Sequence, residues 1–193
     1  MNLLHRYLCR SASWRQVLEQ YVVPWALTDT TLGSEVLELG PGHGLTTTLL
    51  QPHFRQLTAL EVDPRLADAL VARFSHTNVV VIRGDATAMP LADARFSGVV
   101  CLHMLHHVPS KELQDRLFRE AWRVLKPGGT FVGVDSLRMD RLWMRTIHIG
   151  DTLVPVDPST LQPRLQTAGF AHVAVNTNPY AFRFHAQKST LSS

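Results

Sequence analysis

Between residues 35 and 136, short β-rich runs alternate with longer helical ones, and this alternation constrains the fold more than any other feature of the chain. Strand-like runs fall at 36–39, 57–61, 79–83, 99–102 and 130–135, with helical patterns at 45–54, 64–74 and 111–124. The runs VVVI and GVVCL are apolar throughout, as suits strands buried on both faces of a parallel sheet. Such a βαβ alternation requires right-handed crossovers and predicts a doubly wound α/β fold.

The flanks differ. Leu3, Leu4, Tyr7 and Leu8, then Trp14, Val17, Leu18, Tyr21 and Val22, are spaced like two amphipathic helices, and Pro24 is expected to interrupt the second. Residues 137–157 show no period, 158–168 read as helix, and 172–177 and 180–186 read as strands. Asn176, Asn178 and Pro179 between those strands predict a hairpin, with an antiparallel strand at or near the sheet edge.

Composition removes several classes. With 45% hydrophobic and 18% charged residues in 193, the chain has enough apolar side chain for a substantial core and is no disordered tail. Two cysteines, Cys9 and Cys101, cannot form a disulfide framework, and no metal site is expected. The net charge of 19 − 16 = +3 is mild, and the densest basic stretch, 138–145, holds only three arginines. Nucleic acid therefore ranks well below a small molecule as partner. No apolar run reaches the roughly 20 residues of a transmembrane helix. The first residues, MNLLHRYLCRSASWR, lack a secretory pattern, so a cytoplasmic location is expected.

Chemistry concentrates where strands end. The first strand runs out through Glu38-Leu39-Gly40-Pro41-Gly42-His43-Gly44, three glycines at alternate positions that let a ligand approach the backbone. A dinucleotide fingerprint G-x-G-x-x-G fails, because its third glycine would fall on Leu45 or Thr47, and no Lys-Ser or Lys-Thr makes a phosphate loop. The second strand ends in Glu61, whose carboxylate can accept both hydroxyls of a ribose. Asp63, just before Pro64, reads as a helix cap. The third strand ends at Gly84-Asp85-Ala86, where Asp85 can accept an adenine amino group and Ala86 can offer its backbone N–H to a ring nitrogen.

The ordered set VLELGPGHG, ALEVDP, GDATAMPLADARF, VVCLHMLHHV and WRVLKPGGTFV resembles the class I methyltransferases that use S-adenosylmethionine, over residues 35 to 188. The resemblance implies a Rossmann-like, doubly wound, seven-stranded sheet, mostly parallel with an antiparallel C-terminal strand. It also implies S-adenosylmethionine as cofactor, with Glu38, Gly40, Gly42 and Gly44 at its methionine end, Glu61 at the ribose, Asp85 and Ala86 at the adenine, and Cys101 as the fourth-strand contact. Ser97 departs from the family pattern, which often has Asp there, at a position that is usually structural. One domain over 1–193 is expected: a helical cap at 1–30, a cofactor-binding core at 35–136, and an acceptor-side segment with the hairpin at 137–188.

Methyl transfer from a sulfonium needs orientation more than a metal or covalent intermediate, and needs a base only if the acceptor must lose a proton. His103, His106 and His107 follow the fourth strand. His103 is the candidate catalytic base, and His106 and His148 are candidate substrate contacts, with Trp143–Asp151 a source of further ones. His107 is expected to pack or cap locally, and Tyr7 and Trp14 are more naturally core than lid. The favoured reading is transfer to a small-molecule acceptor; a lipid or quinone acceptor and a non-catalytic cofactor-binding module are the alternatives. A homodimer is left open.

Overall fold

The computed structural model describes residues 11–137 and 153–190. Among the described residues there are seven strands: β1 Glu35–Leu39, β2 Gln56–Glu61, β3 Val79–Arg83, β4 Phe96–Leu102, β5 Leu125–Ser136, β6 Ala171–Thr177 and β7 Ala181–Gln187. They form one sheet in the order β3-β2-β1-β4-β5-β7-β6. The first five are parallel, and β7 lies antiparallel between β5 and β6. The chain thus has the expected architecture, with antiparallel β7 near the sheet edge, next to the edge strand β6.

Alternate residues of the central strands feed two cores, one on each face. Val36, Val100, Leu102, Val132 and Val134 face one cluster with Leu18, Val22, Ala26, Leu50, Leu70 and Phe74. Leu37, Leu39, Val99, Cys101 and Phe131 face the other, with Leu117, Phe118, Ala121, Leu161 and Leu165. Helices α1 Ala12–Val17, α2 Val23–Leu27, α3 Leu45–Leu50 and α4 Pro64–Phe74 lie on the first face, and α5 Lys111–Val124 and α6 Leu161–Thr167 on the second. This two-sided burial explains why the strand sequences are apolar without alternation.

Local chemistry sets the helix starts. Asp63 Oδ1 accepts from the amides of Arg65 at 2.8 Å and Leu66 at 3.3 Å, and Pro64 needs no N–H at the first position. Ser110 caps α5 by accepting from the Leu113 amide. Asn178 Oδ1 accepts from Tyr180 and Ala181, closing the β6–β7 hairpin. Ser97 Oγ donates to Glu35 O at 2.9 Å and accepts from Glu35 N at 3.0 Å, so it performs the structural role expected of its position.

The N-terminal cap needs a correction. Pro24 does not break the helical path; it sits in the first turn of α2, which continues from a π-helical segment at Leu18–Val22. The Val23 amide donates to Leu18 O, five residues back, and Pro24 has no amide hydrogen to place. The wider register absorbs the proline that a regular helix would reject. Tyr7, the segment 143–151 and His148 within it lie outside the described residues. Among the described residues no helix is long and apolar enough to cross a membrane.

Candidate functional site

β1 pairs with β2 on one side and β4 on the other, all parallel, so the chain reverses its direction of travel across the sheet at β1. Ligands of open α/β sheets bind beyond the carboxyl ends of the strands at such a switch point. The glycine loop, Glu61, Asp85, the turn after β4 and the end of β5 all stand on that edge.

The loop after β1 folds sharply because Gly40, Gly42 and Gly44 all have positive φ, at 63°, 56° and 75°. Two of them have different neighbours. A Cβ on Gly44 would come within 2.6 Å of Leu70 Cδ2 and 3.1 Å of Phe74 Cε2, whereas one on Gly42 would meet nothing within 4 Å. Gly44 is therefore required by packing of the loop on α4, and Gly42 borders open space.

Glu61 is only 4% exposed. Its Oε2 accepts from the Gly42 amide and its Oε1 from the Asp63 amide, each at 3.0 Å. The carboxylate joins the ends of β1 and β2. Glu38, buried within β1, accepts the Thr46 hydroxyl on Oε1, while its Oε2 has no partner among the described residues. Burial pushes the Glu38 carboxyl up to about 7 against the opposing Thr46 hydrogen bond, and the Glu61 charge adds to the rise. Asp85 is exposed, with Oδ1 accepting the Thr87 amide at 2.7 Å and closing the turn that leaves β3; Ala86 is half-buried beside it. Cys101 lies in the core facing α5 at 1% exposure, and burial pushes its thiol well above its usual range.

Beyond β4 the backbone turns through His103 at φ 51°, a left-handed conformation that is strained for a non-glycine residue. Its amide donates to Val134 O at 2.8 Å, and its ring stands edge-on to Trp14 with centroids 5.1 Å apart. Trp14 is half-buried and packs against the first core, as expected, while its ring edge also meets His103. His103 Nε2 is buried without a partner among the described residues. Burial holds its imidazole down at about 4, against the pull of Asp135 and with help from His106. A ring this weakly basic is neutral at neutral pH.

Sequence reasoning missed Asp135, at the end of β5. Its Oδ1 lies 2.5 Å from His106 Nδ1 and accepts the Ser136 amide at 2.7 Å; its Oδ2 accepts the His106 amide at 3.0 Å. His103 Nδ1 is 3.9 Å from the same Oδ1. Burial alone would raise the Asp135 carboxyl, but the charge and hydrogen bond of His106, then His103, bring it to about 2. His106 is only 5% exposed and directed into this carboxylate, and the His107 ring lies tilted against it with centroids 4.1 Å apart. The signal was available: a carboxylate at a strand's C-terminal end had already singled out Glu61.

A methyltransferase domain model matches residues 37–133, half of the chain. A methyltransferase-like protein of Schizosaccharomyces pombe is 32% identical over 131 residues, covering 65% of this chain and 48% of that protein, so the chain spans about half its length. Two solved structures share the fold, each with a TM-score of 0.75. One is from Pyrococcus horikoshii, at 19% identity and 93% coverage of both chains. The other comes from the Haloferax volcanii complex of the Trm112 methyltransferase activator with a methyltransferase, at 14% identity and 98% and 99% coverage. The family model, running from β1 through the glycine loop and into the fifth strand, and the shared fold together assign the chain to the class I S-adenosylmethionine-dependent methyltransferases.

Proposed function

We propose that the chain binds S-adenosylmethionine across the ends of β1, β2 and β3 and transfers its methyl group to a small-molecule acceptor entering beside His103. The observation that carries this reading is the Glu61–Gly42 hydrogen bond beside the open side of Gly42. It sets a carboxylate and a glycine backbone against one unfilled space.

The residues fit the cofactor. The buried, unpartnered Glu38 Oε2 is matched by the ammonium of a methionine end. Gly40, Gly42 and Gly44 let the loop backbone approach that end, and Glu61, with one amide on each oxygen, keeps a second lone pair on each for ribose hydroxyls. Asp85 keeps one carboxylate oxygen beyond its turn bond for an adenine amino group, with the Ala86 amide next to it. Cys101, with its thiol in the core, would contribute through its backbone. When bound, the cofactor supplies a methyl on a sulfonium, and on transfer the C–S electron pair stays on sulfur while any proton the acceptor loses must pass to a base.

His103 is the residue placed to receive such a proton at Nε2. Its depressed basicity keeps the ring neutral at working pH, with one nitrogen bare, and a hydroxyl becomes strongly acidic as it gains a methyl, so a weak base suffices. One enclosing contact supports a small acceptor: the Trp14 ring stands edge-on to His103, 5.1 Å between centroids. Incubation with methyl-labelled cofactor and a metabolite panel, beside a lipid extract, tests the reading. Label in a small polar product is expected; label confined to the lipid fraction would transfer the proposal to a lipid or quinone acceptor.

A further inference from the structure

Asp135 is a buried carboxylate to which the reading above gives no task, and it faces two imidazoles at once. Resting on that reading, we propose that Asp135 is the positioning residue of the acceptor subsite. By holding the protons of both rings on Nδ1, it leaves His103 Nε2 as a lone pair for an acceptor that carries a hydroxyl or amine hydrogen.

The geometry limits where the protons can be. An ionised carboxylate only accepts hydrogen bonds, so the His106 Nδ1 at 2.5 Å must donate to it. His103 Nδ1, at 3.9 Å from the same oxygen, is too far for a hydrogen bond, yet the negative charge still favours the proton on that nitrogen over the remote one. A neutral imidazole has one N–H, so His103 Nε2 is then an acceptor. It is buried and unpartnered among the described residues. Polar atoms in that state are normally satisfied, and a ligand donor is the partner this one lacks.

The surroundings hold the lone pair in place. The left-handed backbone at His103 is fixed by its amide bond to Val134 O, and its ring is braced by Trp14. Strained backbone of this kind persists where the structure around it over-determines it, often at functional sites. Asp135 is fixed as well, because Ser136 and the His106 amide occupy its two oxygens. An acceptor with a bare carbon or thioether nucleophile would leave His103 Nε2 as orphaned as before, whereas a hydroxyl or amine would satisfy it.

The test is nitrogen NMR on the full chain labelled in its histidines, at neutral pH, with the Asp135→Asn variant alongside. In the wild type His103 should carry its proton on Nδ1 and leave Nε2 bare, and His106 should carry a proton on Nδ1. In Asp135→Asn the new amide can donate toward His106 Nδ1, so His106 should switch to the Nε2–H form while the fold, read by far-UV circular dichroism, is kept. Should the variant fail to fold, the wild-type tautomers and the His103→Gln variant still decide. That variant retains a side-chain acceptor and should recover more of the methyl transfer than His103→Ala. Finding His103 as Nε2–H, a His106 tautomer indifferent to Asp135→Asn, or label transferred to carbon or thioether sulfur would overturn the inference. Calorimetric titration with S-adenosylmethionine in the same samples separates this failure from failure of the cofactor reading, which would appear as lost binding in the wild type.

Discussion

Glu61 Oε2 accepts the amide hydrogen of Gly42 at 3.0 Å, across nineteen residues of chain, so the carboxylate proposed for the ribose also shapes the loop proposed for the methionine end. Its other oxygen holds the Asp63 amide at the start of α4. Its two backbone partners and 4% exposure give Glu61 a structural share beside its proposed cofactor contact.

Glu61→Ala should therefore lower stability by about 2–3 kcal/mol, since it strands two amides that had charged partners. Cofactor affinity should fall roughly tenfold to hundredfold in the same variant. Glu61→Gln, which can still accept one of the two bonds, should lose about half as much stability. Urea denaturation and calorimetric titration measure the two effects separately. An Ala variant as stable as wild type would mean the loop is held by other contacts.

Gly42 and Gly44 should separate function from folding. Gly44→Ala sets a Cβ 2.6 Å from Leu70 Cδ2 at φ 75°, and should cost about 2–4 kcal/mol through clash and backbone strain. Gly42→Ala meets no neighbour within 4 Å and should cost only about 1 kcal/mol of left-handed strain, while weakening the cofactor by roughly tenfold as its methyl fills the adjoining space. Thermal melts with and without S-adenosylmethionine distinguish the two. The opposite ranking would place the cofactor elsewhere on the loop.

Much of this arrangement was legible because the elements that build it are locally consistent. The apolar runs of β1 to β5 need both faces buried, and α4 begins where Asp63 and Pro64 say it should. Pro24 misled because its cost in a regular helix assumes a bond four residues back, and the π-helical register at Leu18–Val22 removes that assumption. Asp135 was hidden for a different reason. Its partner His106 lies 29 residues away, and only the pairing of β4 with β5 brings the two strand ends together. His103 was legible as a residue near the site, but its left-handed backbone and its Trp14 contact are tertiary facts that no local pattern carries.

The buried Glu38 makes a prediction about pH. Burial raises its carboxyl from 4.5 to about 7 in the folded chain, so between those values the native state holds a proton that the unfolded chain releases. The contribution is fully present below about pH 4.5 and is lost as pH rises through about 7. Glu38→Gln, which stays neutral, should gain stability relative to wild type on going from pH 4.5 to pH 8, by about 3 kcal/mol. His103 acts in the opposite sense, its depressed pKa making stability fall as pH drops from 6.5 toward 4, but it is common to both proteins and drops out of the comparison. Chemical denaturation at the two pH values checks the difference; a pH-independent gap would mean Glu38 stays ionised.

His103→Asn should separate strain from chemistry. Asn tolerates the left-handed conformation at φ 51° better than His, which offsets part of the packing lost against Trp14 and should leave stability within about 1 kcal/mol of wild type. Methyl transfer should fall roughly 10²–10⁴-fold if His103 takes the acceptor's proton, with cofactor affinity unchanged. Kinetics with an identified acceptor measure this, and a raised Michaelis constant with an unchanged maximal rate would make His103 a binding residue instead.

The most direct test of the account is calorimetric titration of the purified chain with S-adenosylmethionine, its demethylated product and NAD. Binding of the first two at one site per chain is predicted, with NAD weak or undetectable because the glycine spacing fails the dinucleotide pattern. A folded chain that binds NAD tightly and neither of the other two would contradict the assignment of the cleft at β1, β2 and β3.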